Sequence, residues 1–130
     1  MIGSKTILVI DDSMTQIRVL NMLLQDKYKV LSATSGYEGV TIAKKERPDL
    51  ILLDYDMPIM SGKETFHKLQ ENEETKDIPV LFLTGVDEKE DIMRVLVLRP
   101  KGYLLKPVDQ NRLFESIEKI FDEQQFPGFH

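Results

Sequence analysis

Thr6-Ile-Leu-Val-Ile-Asp-Asp12 runs a short apolar stretch straight into two carboxylates, and three later stretches repeat the pattern with different polar ends. Leu50-Ile-Leu-Leu-Asp54 ends in another carboxylate. Val80-Leu-Phe-Leu-Thr84 ends in a hydroxyl, and Gly102-Tyr-Leu-Leu-Lys-Pro107 in an ammonium followed by proline. A fifth stretch, Lys29–Ala33, carries no such group. The runs are rich in Val, Ile and Leu without strict alternation, which is how strands buried on both faces of a parallel sheet read.

Between these runs the apolar residues switch to helical spacing. Ile17, Leu20 and Leu24 share one helical face; Tyr37, Val40 and Ala43 share a second; Leu113, Ile117, Ile120 and Phe121 share the last. Helix starts are marked chemically. Ser13-Met-Thr-Gln16, Ser35-Gly-Tyr-Glu38 and Ser61-Gly-Lys-Glu64 have the capping-box spacing, in which Ser and Glu or Gln satisfy each other's orphan amides. Asp87-Glu-Lys-Glu90 has the related spacing, and Asp109 stands where an N-cap of the last helix is expected. The order is βαβαβαβαβα, which predicts an α/β fold: a doubly wound five-stranded parallel sheet with five helices on its two faces.

The bulk properties narrow the function. The 130 residues suit a single domain, with a core over about 5–124 and a tail over 125–130. With no cysteine, disulfides and thiolate metal sites are excluded and a cytoplasmic location is the expectation. A net charge of −5 disfavours direct binding to nucleic acid or an anionic membrane, since both reward clustered Lys and Arg. No apolar run approaches the length of a membrane span, and Met1-Ile-Gly-Ser-Lys5 does not have the apolar segment of a secretory signal.

In doubly wound sheets ligands bind beyond the carboxyl ends of the strands, near the point where strand order reverses. Asp11, Asp12, Asp54, Thr84 and Lys106 all fall at such ends. Converging carboxylates repel one another, and a divalent cation relieves the repulsion. An all-oxygen donor set selects Mg²⁺, Mn²⁺ or Ca²⁺ over softer metals. A nearby Lys suits an incoming phosphoryl group, a Thr hydroxyl can donate to one of its oxygens, and an Asp carboxylate can accept it as an acyl phosphate.

Taken in order, these motifs resemble the receiver domain of two-component response regulators over essentially the whole chain. They are Asp11-Asp12, Asp54-Tyr-Asp-Met-Pro58-Ile-Met-Ser-Gly62, Thr84-Gly85 and Tyr103-Leu-Leu-Lys106-Pro107. The resemblance implies a flavodoxin-like sheet of order 2-1-3-4-5. It implies that Asp54 accepts a phosphoryl group from phosphohistidine on a sensor histidine kinase or phosphotransfer protein. Mg²⁺, or Mn²⁺ in its place, would be held by Asp11, Asp12, Asp54 and the backbone carbonyl of Asp56. Lys106 would pair with the phosphoryl group, across a cis bond to Pro107. Thr84 and Tyr103 would form the switch that alters the face of the fourth helix, fifth strand and fifth helix, where a downstream protein or effector domain docks. Such a chain is a signalling phosphoacceptor that takes part in its own phosphorylation and dephosphorylation, not an enzyme acting on a separate substrate. By the same resemblance Asp56 and Val86 bear on how fast water removes the phosphoryl group.

Some features depart from the pattern. Arg99-Pro100 stands where many receivers have small residues, and Pro100 steers Arg99 out of the helical region, ending the fourth helix by Leu98. That helix carries Ile92, Met93, Val95, Leu96, Val97 and Leu98, more apolar residues than one core face takes. Met93 and Val97 are therefore candidates for a partner or homodimer surface, or for ordinary exposed apolar residues. His67 is isolated from any other His, which favours a surface or packing role. The tail Gln124-Gln-Phe-Pro-Gly-Phe-His130 reads as a frayed end. Three rival functions share part of this pattern. Asp54-Tyr55-Asp56 resembles the DxD signature of aspartate-nucleophile phosphatases, but the acidic pair here precedes the nucleophile and Pro58 does not fit that signature. A pseudo-receiver that binds without phosphorylation would be expected to have lost an acidic residue or the Lys. A flavin-binding protein would want a Gly-rich loop after the first strand.

Overall fold

The computed structural model describes residues 4–85 and 89–125, with the backbone course alone at 89–91 and 125. Five strands, β1 (Thr6–Ile10), β2 (Lys29–Ala33), β3 (Leu50–Asp54), β4 (Val80–Thr84) and β5 (Gly102–Leu105), alternate with five helices. The helices are α1 (Met14–Leu24), α2 (Gly36–Glu46), α3 (Gly62–Glu71), α4 (Lys89–Val97) and α5 (Gln110–Gln125). All pairings are parallel, in the order β2-β1-β3-β4-β5. The expected α/β architecture and strand order are both present. β3 and β4 each run one residue past their apolar stretch, so Asp54 and Thr84 are the last residues of their strands.

Strand periodicity sorts the core into two layers, because successive side chains point to opposite faces. Ile7, Val9, Leu50, Leu52, Leu81 and Leu83 pack against Ile17, Leu20 and Leu24 of α1 and Leu113, Ile117 and Ile120 of α5. Leu8, Ile10, Ile51, Leu53, Val80 and Phe82 pack against Ala43 of α2, Phe66 and Leu69 of α3 and Val95 of α4. The interior strands β3 and β4 are buried at every position, whereas the edge strands β2 and β5 are not.

One helix face differs from its sequence reading. Tyr37 is 62% exposed, and α2 instead turns Gly36, Gly39 and Ala43 inward. A Cβ at Gly39 would lie 2.4 Å from Ile10 Cδ1, so small residues let this helix sit close on β1. Phe121 lies on the rim of the first layer, edge-on to Tyr28 with ring centroids 6.0 Å apart.

The caps also sort out. Ser13, Ser35 and Ser61 each accept a hydrogen bond from the amide three residues on. The reciprocal bond forms at α3, where the Ser61 N–H donates to Glu64 Oε1 at 3.2 Å. Glu38 instead takes the Thr34 N–H at 2.7 Å, and the Ser13 N–H donates to Asp11 Oδ1 at 2.9 Å. Two of the three boxes are therefore half-formed, the second because a carboxylate of the acidic cluster competes for the amide. Asp109 caps α5 through the Arg112 N–H at 3.0 Å. Asp87, the cap position of Asp87-Glu-Lys-Glu90, together with Val86 and the tail beyond 125, lies outside the described residues.

Glu64→Ala should destabilise the protein by about 0.5–1 kcal/mol, since it removes a reciprocal capping bond. Gln16→Ala, at the matching position of α1, should stay within about 0.5 kcal/mol of wild type. Urea denaturation of the two variants measures the difference.

Candidate functional site

Strand order reverses between β1 and β3, and the acidic residues gather at that point. Asp11 follows β1, Asp12 sits at the mouth of the loop, and Asp54 ends β3. One carboxylate oxygen from each lies within 4.8 Å of the others. Asp11 is fully buried, Asp54 is 3% exposed and Asp12 faces solvent. Lys106 reaches in from the end of β5, 3.0 Å from Asp54 Oδ1 and 3.3 Å from Asp11 Oδ2. The Lys106-Pro107 bond is cis, as expected.

Local structure holds the carboxylates in place. Asp11 Oδ1 accepts the Ser13 N–H, so the start of α1 orients it. Asp54 Oδ1 accepts the Asp56 N–H at 3.3 Å in addition to the Lys106 ammonium. The loop after β3 is pressed onto the strand end. The Gly62 N–H donates to the Tyr55 carbonyl at 2.9 Å, and a Cβ at Gly62 would stand 2.4 Å from the Asp54 carbonyl oxygen. Only glycine allows that approach. In the same loop Ile59 is 91% exposed and has φ of 68°, a region that a β-branched side chain occupies only under strain. Nothing in the motif spacing marks Ile59. Its strain comes from the tight return of the chain between β3 and α3.

The electrostatics are those of a site short of positive charge. Burial raises the Asp54 pKa first and the adjacent Asp11 charge raises it further. The Lys106 hydrogen bond and charge and the Asp56 amide pull it back, leaving it at about 7. Burial lowers the Lys106 pKa, but the hydrogen bonds and charges of Asp54 and Asp11 outweigh that and hold it above its ordinary value. One ammonium thus serves two of the three carboxylates, Asp11 and Asp54. The hard oxygen set, clustered and under-neutralised, fits a divalent cation such as Mg²⁺.

Thr84 and Tyr103 flank this centre on the face of the sheet that carries α4. Thr84 is fully buried, and its Oγ1 makes no hydrogen bond among the described residues. Its carbonyl accepts the Lys106 N–H at 2.8 Å, which ties the strand end to the lysine. Tyr103 pairs in register with Phe82 and packs, half-buried, on the second core layer. A cleft of about 680 Å³ opens beside it, lined by Leu105, Pro107, Arg112 and Glu115 among others. On α4, Val95 is buried while Met93, Leu96 and Val97 are exposed.

The family profile of the response regulator receiver domain matches residues 7–118. The chain belongs to the response regulator receiver family. PilH of Pseudomonas aeruginosa is 35% identical, over 88% of this chain and 95% of that protein. The response regulator PleD of Caulobacter vibrioides is 34% identical over 90% of this chain, but only 26% of its own length is covered. Among solved structures, the chemotaxis protein CheY4 of Vibrio cholerae superposes with a TM-score of 0.82 at 29% identity, covering 90% of this receiver and 98% of that chain. A CheY-like receiver from Methanospirillum hungatei reaches 0.86 at 28% identity, with 97% and 100% covered. Membership of the receiver family over residues 7–118 sets aside assignment of the chain to the DxD phosphatases or to flavin-binding proteins. No helix among the described residues of the receiver is long and apolar enough to cross a membrane.

The raised Asp54 pKa has a stability consequence. The folded receiver holds the Asp54 proton more tightly than the unfolded chain does, so stability falls as pH rises from about 4 towards 7. Asn cannot ionise. In metal-free buffer, Asp54→Asn should therefore be more stable than wild type by about 1–3 kcal/mol at pH 8, with the gap closing near pH 4. Urea melts at both pH values read this, and a gap equal at the two would refute it.

Proposed function

We propose that this receiver is phosphorylated on Asp54 by a phosphohistidine of a sensor kinase or phosphotransfer protein and that it signals through the α4-β5-α5 face. The observation that carries the proposal is the buried Thr84 Oγ1, without a hydrogen-bond partner among the described residues, beside a carboxylate cluster that one lysine does not neutralise. A buried hydroxyl left unpaired costs about 1–3 kcal/mol, and a phosphoryl oxygen on Asp54 would supply its acceptor.

Both the Lys106 ammonium and the Asp56 amide contact Asp54 Oδ1, which leaves Oδ2 as the attacking oxygen. In the transfer, Oδ2 forms a bond to phosphorus while the P–N bond to the donor imidazole breaks. The imidazole nitrogen keeps the electron pair and takes up a proton. Asp11, Asp12, Asp54 and the backbone carbonyl of Asp56 would hold Mg²⁺, which when bound supplies positive charge against the phosphoryl oxygens. Lys106, 3.0 Å from Asp54 Oδ1, would neutralise a further phosphoryl oxygen. The chain therefore works by holding reactants in line and compensating charge, in a pocket shaped before the donor arrives.

Phosphorylation adds a dianion to a site already crowded with carboxylates. Lys106 shifts towards the new charge and the Thr84 hydroxyl turns to donate to it. Tyr103, on the same face of the sheet, moves into the space released, and the surface formed with α4 and α5 changes. Met93, Leu96 and Val97 on that surface are suited to a protein partner or to a second phosphorylated copy.

Incubation with acetyl phosphate and Mg²⁺ should give one base-labile phosphoryl adduct by intact mass, absent in Asp54→Asn and absent when EDTA replaces the metal. An unmodified mass with every donor, in a protein that still folds, would instead leave a non-phosphorylated binding module. Lys106→Ala should weaken the phosphorylation-induced change at Tyr103 more than it weakens Mg²⁺ binding. Tyrosine fluorescence and Mg²⁺ titration compare the two, and an undiminished Tyr103 response would sink the assigned role.

A further inference from the structure

We propose that the cleft between α3 and α4, at the amino-terminal end of the sheet, is a docking site for an acidic peptide segment with an apolar anchor. This cleft, of about 440 Å³, opens where β4 and β5 begin, the opposite end from the carboxylate cluster. Its floor is apolar: Ile78, Val80 and Leu98, backed by the buried Phe66. Its rim carries Lys76, Arg99 and Lys101 with the polar His67 and Gln70, and no carboxylate lines it among the described residues. On a chain of net charge −5, that concentration of cations is a local reversal of sign.

The cations are available. Lys76 shares an exposed ion pair with Glu73 at 3.1 Å, but Arg99 and Lys101 take part in no ion pair among the described residues. Arg99 is held at φ of 54°, at the end of α4 where glycine is the usual residue. An arginine kept in that strained position, directly before Pro100, places a long cationic side chain at a rigid corner. Pro79 stiffens the facing wall, so the cleft is formed before anything enters it.

The chemistry favours dispersed carboxylates over a phosphate-bearing ligand. Cations set singly around an apolar floor match carboxylates spaced along a peptide better than one concentrated dianion. The buried Phe66 ring packs against Phe82 and His67, at centroid distances of 5.5 and 6.2 Å, so it offers no free face for a nucleobase. An extended or helical segment that seats one aliphatic side chain on Ile78 and Leu98 and sets carboxylates against Arg99 and Lys101 satisfies both floor and rim. Strands of five residues put this cleft about 15 Å from Asp54, so such a partner and a phosphodonor can bind together.

The probe is a fluorescein-labelled peptide of alternating Glu and Leu, followed by anisotropy at low salt with the full chain. Wild type should bind it, and the double variant Arg99→Gln/Lys101→Gln should weaken binding about tenfold or more. Lys44→Gln/Lys45→Gln, which removes the same charge from α2, should leave it unchanged. Amide shifts on titrating wild-type protein should centre on Ile78, Leu98 and Lys101, a readout independent of how the variants fold. Absence of binding, equal weakening in both double variants, or shifts centred elsewhere would overturn the proposal. Displacement of the peptide by equimolar ATP would assign the cleft to a phosphate ligand and overturn it as well.

Discussion

Repulsion among three carboxylates, brought within 4.8 Å of one another where the sheet reverses its order, is the constraint around which this molecule is arranged. Parallel strands β1 and β3 lie side by side, so whatever ends them must meet. Two of the three acids are then buried, and one ammonium is shared between them. The remaining imbalance is stored in a carboxyl whose pKa is held near 7 and in an amide network that pins both acids. A site left short of positive charge, yet rigidly held, is prepared for a cation and for a group that arrives with one.

The same imbalance makes the proposed switch economical. Thr84 has a buried hydroxyl with nothing to donate to among the described residues, and its strand partner region leads directly to Lys106. A new acceptor at Asp54 would satisfy the hydroxyl and draw the lysine at once, so two neighbouring strand ends respond to one charge. Tyr103 lies on the Thr84 side of β5, which links the response to the helix packed over that face.

The two ends of the sheet carry opposite chemistry. Acids and one lysine occupy the carboxyl ends, whereas the amino ends of β4 and β5 meet a cleft rimmed by Lys76, Arg99 and Lys101. The first arrangement follows from the family pattern. The second rests on Arg99-Pro100, the place where this chain departs from it.

Much of this was legible in the residues. Apolar runs of strand length, separated by helical spacing, predicted the alternation and the parallel sheet because burial on both faces demands continuous apolar stretches. The types at the strand ends, Asp11, Asp12, Asp54, Thr84 and Lys106, named a candidate site before any geometry, and the fold brings Asp11, Asp12, Asp54 and Lys106 together. Local rules reached less far where a neighbour competed. The Ser13 amide was taken by Asp11 and Glu38 turned to Thr34, so two capping boxes stayed half-formed. Tyr37 left the core because Gly36 and Gly39 bring α2 too close to β1 and Met60 to leave room. The raised Asp54 pKa, the unpaired Thr84 hydroxyl and the cationic cleft depend on distances between residues far apart in the chain, and spacing along a sequence carries no such distances. Residue order determined which groups are present and which strand ends they occupy; packing determined how deeply they are buried, which of them share the Lys106 ammonium, and what they face.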